Sequence, residues 1–268
     1  MVLWQLSRGD SPLIVSVPHA GRHVPDAIRL RMHAAAHALP DTDWHVESLY
    51  GFVASTGGTL IVATHSRYVV DLNRAPSGAA LYPGADNTEL CPTRTFANEP
   101  IYERGEEPGG GEIEARRATY FDPYHVQLAA ELARLRARHG YAVLLDGHSI
   151  AAQVPRFFTG RLPDLNLGTN DGRSCDASLQ ALATGIAAQA RGFTHVVNGR
   201  FKGGYITRHY GAPHRGVHAL QLEMAQACYM DEANPRAFDA TRALPLAGVL
   251  ERLVIALAEW RPARSASA

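Results

Sequence analysis

Residues 13–21, Leu-Ile-Val-Ser-Val-Pro-His-Ala-Gly, and residues 142–149, Ala-Val-Leu-Leu-Asp-Gly-His-Ser, follow the same plan: a short apolar run and then a histidine. Runs of four or five largely apolar, branched residues suit strands buried on both faces, as in parallel sheets covered by helices on either side. Residues 59–63, 68–71, 194–197 and 217–222 read as strands for the same reason. Helical patterns fall between them at 25–37, 44–55, 112–139, 176–190 and 235–260. Asp43 and Asp176 stand where N-caps belong. The alternation predicts an α/β fold, a mixed and mostly parallel sheet with helices on both faces. No repeat or linker divides the chain, so residues 1–268 read as one domain, with 263–268 expected to fray.

The composition narrows the partners. Lys and Arg together number 26, as do Asp and Glu, for a formal net charge of zero. Such a chain offers no field for a phosphate backbone or an anionic membrane, so nucleic acid and membrane are not expected as partners. Lys202 is the sole lysine, so arginine abundance by itself says little. Residues 1–10 lack the basic start and apolar core of a secretory signal, and no run approaches about 18 apolar residues. The expected location is the cytoplasm. Cys91, Cys175 and Cys228 lie far apart without a CxxC pair. Any metal would therefore have to be held by histidine and carboxylate.

Open α/β sheets bind ligands beyond the carboxyl ends of their strands, where His19 and His148 both fall. The strand at 217–222 leads into Glu223, and the segment 66–74 ends in Asp71, Asn73 and Arg74. A hydrolytic zinc site needs three protein ligands and one open position. His19 and His148 could supply two, and Asp41 or Asp43, in Pro-Asp-Thr-Asp-Trp-His, the third; the same residues also read as two hydrogen-bonded rim histidines and a helix-capping aspartate. Two long irregular segments, 73–111 and 161–174, are expected to overhang such a site. His33 and His37 share a helical spacing but lack the glutamate of a metalloprotease motif. His218 and Glu223 fall on opposite faces of a regular strand, so they are not expected to share a ligand set. Asp146 either orients His148 or caps the strand end. The stripe Leu128, Leu132 and Leu135 reads as core.

PHAG (18–21), DTDW (41–44), SRYVVDLNR (66–74), LYPG (81–84), DGHS (146–149), RLPDLNLGTNDG (161–172), GRFKGGYITRHYG (199–211) and HALQLE (218–223) occur in this order. Together they closely resemble the N-formylglutamate amidohydrolase family, from about residue 12 to residue 230. The resemblance implies hydrolysis of N-formyl-L-glutamate to formate and L-glutamate in histidine degradation. It also implies a fold similar to zinc carboxypeptidases and aspartoacylases, with His19, Asp43 and His148 as metal ligands and Glu223 as catalytic carboxylate. Asn73 and Arg74 would grip a substrate carboxylate, and Arg67 would polarise the scissile carbonyl.

These residue types suit that chemistry. Zinc lowers the pKa of bound water to about 7, and another divalent ion would accept the same donors. A carboxylate in a partly dry site can act as general base and then acid. Guanidinium forks match the two substrate carboxylates. Arg74 is the first choice for one and Arg208, after the Gly203-Gly204 pair, for the other, with His209 lining the pocket. Three other readings compete: a metal-dependent deacylase of another N-acyl amino acid, a carboxypeptidase-like peptidase, and a non-catalytic binding protein for acidic amino acids.

Overall fold

The computed structural model describes residues 2–81, 84 and 86–263. Seven strands, β1 (Trp4–Ser7), β2 (Leu13–Val17), β3 (Thr59–Ala63), β4 (Ala142–Ile150), β5 (Leu165–Gly168), β6 (His195–Val197) and β7 (Val217–Ala225), form one sheet. Their order is β1-β3-β2-β4-β7-β5-β6. The central four, β3, β2, β4 and β7, are parallel to one another. β1 is an antiparallel edge on β3, β5 runs antiparallel to β7, and β6 parallels β5. The sheet is thus mixed and mostly parallel, as expected. The helices are α1 (Asp26–Arg29), α2 (Val46–Leu49), α3 (Gly110–Arg116), α4 (Asp122–His139), α5 (Ala177–Ala188), α6 (Tyr205–Tyr210) and α7 (Ala240–Glu259).

Strand alternation divides the core between two faces. Leu13, Val15, Val143, Leu145, Leu220 and Leu222 pack with residues of α2, α5 and α7. Ile14, Leu144 and Ala219 point the other way, onto Leu128, Leu132 and Leu135 of α4. Truncating any of these fully buried leucines to alanine costs about 2–5 kcal/mol. The period that sets Leu144 against α4 also carries Asp146 and His148 onto that face, two and four residues later. On β7, Gln221 and Glu223 follow Ala219 in the same way. A strand that begins as core therefore ends as a row of buried polar groups, and these must find partners.

Four local readings are corrected. Residues 68–71 form turns rather than a strand, because both edges of β3 are already taken by β1 and β2. β1 and β5 were not anticipated: β1 is a half-exposed edge, and β5 carries Asn166 and Gly168 inside the turn-rich stretch 161–174. Residues 161–174 thus feed the sheet instead of overhanging it. The helix expected at 25–37 breaks after α1, where His33 N–H donates to Ile101 O and Met32 pairs with Tyr102. The one expected at 44–55 divides into α2 and a 3-10 stretch, Gly51–Thr56. Of the expected frayed tail, residues 264–268 lie outside the described residues. Among the described residues, no helix is long and apolar enough to cross a membrane.

Candidate active site

Asp43 does not cap a helix. The residue before α2 is His45, at φ 64°, and it makes no side-chain cap. The Asp43 carboxylate instead turns to the end of β4, where Oδ2 accepts from the Ser149 N–H at 3.1 Å. The same oxygen lies 3.0 Å from His148 Nδ1 and 3.8 Å from His19 Nδ1. His19, Asp43 and His148 form a buried group whose donor atoms all lie within 4.8 Å of one another. Metal–ligand bonds of about 2.0–2.2 Å in a tetrahedron place donors roughly 3.3–3.6 Å apart, a spacing that the observed separations bracket. Asp43 Oδ1 is buried without a hydrogen-bond partner and has only the Arg67 guanidinium nearby, at 3.6 Å, which leaves it free to accept a further cation. The residues therefore fit a divalent metal ion. Asp41, the other candidate, is turned away: its Oδ2 accepts from Tyr68 Oη at 2.6 Å and from the Phe96 N–H at 2.9 Å.

Behind each imidazole stands a carboxylate. His19 Nε2 pairs with Asp71 Oδ1 at 2.7 Å, and His148 Nε2 with Asp146 Oδ2 at 2.9 Å. Such outer partners fix the ring orientation and leave Nδ1 toward Asp43. Asp146 is thus an orienter of His148. Asn73 belongs to the same layer, its Nδ2 lying 3.1 Å from Asp146 Oδ2 and its Oδ1 accepting from Ile206 N–H at 2.7 Å. Gly204 permits this approach, since a Cβ there would fall 2.3 Å from Asn73 Nδ2. Arg67 Nη2 donates to Asp71 Oδ2 at 2.9 Å, and its Nη1 to Asp41 O at 3.2 Å.

The electrostatics follow from burial and pairing. Burial, aided by the Arg67 charge, lowers the His19 pKa and favours its neutral form. Burial also opposes charge on His148, but Asp146 and Asp43 outweigh it and hold this imidazole well above its ordinary value. Metal binding at such a ring displaces its proton. Burial would raise Asp43, yet the two histidines and Arg67 hold it below the usual carboxylate range. Glu223, beside His148 in the β4–β7 register, is pushed up to about 8, chiefly by burial. Gln221 Nε2 donates to Glu223 Oε2 at 3.0 Å while its Oε1 accepts from the Gly204 N–H at 2.7 Å. Gln221 is not among the residues that the sequence motifs single out, although its position two residues before Glu223 puts it on the same strand face.

All three possible ligands and Glu223 open into one pocket of about 570 Å³, counting the solvent at its mouth, and Arg67, Asn73 and Arg74 also line it. The segment 73–111 supplies further wall at Leu81, Thr88 and Phe96, so it overhangs the site as expected. The described lining includes neither Arg208 nor His209. Arg208 donates to Gly203 O and Leu81 O, while exposed His209 stacks on Tyr205 with ring centres 4.8 Å apart. A different arginine, Arg200, lines the pocket. It lies three residues beyond β6, which runs against β2, β4 and β7, so the strand-end rule that marks His19 and His148 does not point to it. His33 and His37 are far from ligand duty: His33 pairs with Glu103, and His37 Nε2 contacts Arg29 O.

Two imidazoles and a carboxylate gathered at the carboxyl ends of parallel strands, beside a buried acid, give an α/β protein a donor set that could bind a metal ion. Comparison with known proteins specifies the family. A family model described as N-formylglutamate amidohydrolase matches residues 11–230, and the chain belongs to that family. It is 46% identical over 253 residues to an N-formylglutamate deformylase of Pseudomonas putida, covering 94% of each chain. The N-formylglutamate deformylase of Pseudomonas aeruginosa is 47% identical over 253 residues, 94% of this chain and 95% of that one. The crystal structure of an N-formylglutamate amidohydrolase from Ralstonia eutropha JMP134 superposes with a TM-score of 0.81 at 27% identity, covering 97% of this chain and 98% of that one.

Proposed function

We propose that this chain hydrolyses N-formyl-L-glutamate to formate and L-glutamate, the reaction that its family resemblance assigns to histidine degradation. The observation that carries this reading is the convergence of His19, Asp43, His148 and Glu223 in one pocket that Arg74 and Arg200 also line. His19, Asp43 and His148 would hold a divalent ion, zinc being the usual choice for nitrogen and carboxylate donors. When bound, that ion supplies Lewis acidity, making water a usable nucleophile and the formyl carbonyl a better electrophile.

The chain's own groups do the rest. Glu223, beside His148 in the β4–β7 register, takes the proton of the attacking water and delivers it to the departing amine nitrogen. Gln221 holds one carboxylate oxygen, which fixes the plane in which that transfer occurs. Arg67, locked to Asp71, directs positive charge at the carbonyl oxygen as negative charge develops there. Arg74 and Arg200 bind the two substrate carboxylates and orient the formamide toward Glu223. Asn73 acts as a positioning residue through Asp146 and His148. Arg208, bonded to Gly203 O and to Leu81 O, ties the segment that carries Arg200 and Gly204 to the 73–111 segment.

Metal analysis of the purified protein, paired with formate release, tests the proposal. Glu223→Gln should keep its metal while losing about 10²–10⁴-fold in kcat, and chelation should abolish activity reversibly. Undiminished formate release after either change would overturn the mechanism.

A further inference from the structure

A second chamber adjoins the pocket. Its walls include Pro40, Asp41, Ala151, Val154 and Gln226, and it too encloses about 570 Å³ counting open solvent. The two cavities share Phe96, Ser149 and Ile150 in their linings and therefore meet at those residues. Ser149 and Ile150 belong to β4 and cannot withdraw: Ser149 Oγ accepts from Tyr229 Oη at 2.7 Å, and Ile150 is buried. Phe96 is the only one of the three that projects from an irregular segment, so its ring is the removable part of the partition.

That ring is held in place from several sides. Its backbone N–H donates to Asp41 Oδ2. The preceding carbonyl, Thr95 O, accepts from Arg156 Nη1 at 2.8 Å. The guanidinium of Arg67 lies 4.8 Å from the ring centre, and Phe157 meets it edge-on at 5.1 Å. The chamber behind is flanked by neighbours of the reacting groups: Asp41 lies two residues from Asp43, Ser149 follows His148, and Gln226 follows Glu223 by three. Arg67, which the proposed function sets against the carbonyl oxygen, lies on the Phe96 ring, so on that reading the chamber borders the carbonyl side of the pocket.

Resting on the reading above, we infer that Phe96 is the residue that limits the acyl group to formyl, by closing a preformed chamber that would otherwise admit a longer acyl chain. A formyl carbon carries only hydrogen, so it asks for no space beyond the carbonyl. An acetyl or propionyl group requires a place for one or two carbons, and the Phe96 ring denies it that place. One methylene in a tight pocket changes kcat/KM by about 10–200-fold.

The test is Phe96→Ala, assayed with N-formyl-, N-acetyl- and N-propionyl-L-glutamate in the same preparation. The readout is the ratio of kcat/KM values, which does not depend on the fraction of protein that folds. The acetyl-to-formyl ratio should rise by about tenfold or more, and Ala151→Leu added to that variant should bring it back down by refilling the chamber. An unchanged ratio in Phe96→Ala would overturn the inference, as would a relaxation confined to the amino-acid side chain of N-formyl substrates. Loss of all turnover in both Phe96→Ala and Phe96→Leu would also overturn it, because the ring would then be part of the catalytic machinery. Absence of formate release by the unaltered protein would instead sink the proposed function, so the two failures are distinguishable.

Discussion

At the floor of the pocket, His19, Asp43 and His148 are at most 3% exposed, and each is tied to a second buried partner. At the rim, Arg74, Phe96 and Arg200 are half-buried and sit on irregular segments. The floor is built from strand ends and the turns next to them, locked by carboxylates behind the rings. The rim is hung from loops. Groups that must hold reacting atoms to within about half an ångström need rigid supports, whereas groups that select a substrate tolerate more play. Substitutions on the floor should thus act as all-or-none changes, and those on the rim should be graded.

Asp43→Ala offers the severest way to break this contrast. It removes one donor from a three-residue set and leaves two buried histidines without their common carboxylate. We expect loss of bound metal by elemental analysis and a fall in kcat/KM of at least about a thousandfold. A variant that kept both metal and activity would place the ion elsewhere and dissolve the distinction between floor and rim.

The rim is sharpened by comparing two arginines. Arg200→Ala should raise KM for N-formyl-L-glutamate about tenfold, the cost of a charge-assisted contact, with a smaller effect on kcat. Arg208→Ala, outside the pocket lining, should change KM less than about threefold. Steady-state kinetics on both variants decides the matter, and the opposite ranking would restore Arg208 as the carboxylate clamp.

The two regions were unequally legible in the sequence. His19, His148 and Glu223 could be found because strand periodicity is local: an apolar run predicts a strand, and its end predicts a position. β2 begins and ends at the residues read from the sequence, and Glu223 falls on the opposite face from His218, as alternation requires. The rim depends on contacts made across the chain. Arg156 reaches Thr95, and Asp41 reaches Phe96, over separations of 61 and 55 residues. No window of sequence contains both partners, so periodicity cannot reveal them. The glycine neighbours of Arg208 favour it in the sequence, but it is Arg200 that lines the pocket. Asp43 was read two ways, as a cap and as a ligand, because both uses place an aspartate just before a helix.

Asp176 is the counterpart that shows what an ordinary cap does. Its Oδ1 accepts from the Ser178 N–H at 2.8 Å and from Ser178 Oγ at 2.7 Å, and these bonds hold its pKa below the usual carboxylate value. Asp176→Ala should cost about 1 kcal/mol of stability, the typical worth of an N-cap, and leave kcat/KM unchanged because α5 lies outside the pocket lining. The sign with pH follows from the lowered folded pKa. The advantage of aspartate over alanine should be complete above the ordinary aspartate pKa of about 3.9 and fade as the pH drops below it. Urea unfolding at neutral pH and near pH 3 measures this directly. A large loss of activity in Asp176→Ala would mean that α5 is coupled to the floor, and the two aspartates would no longer separate structural from chemical use of the same sequence signal.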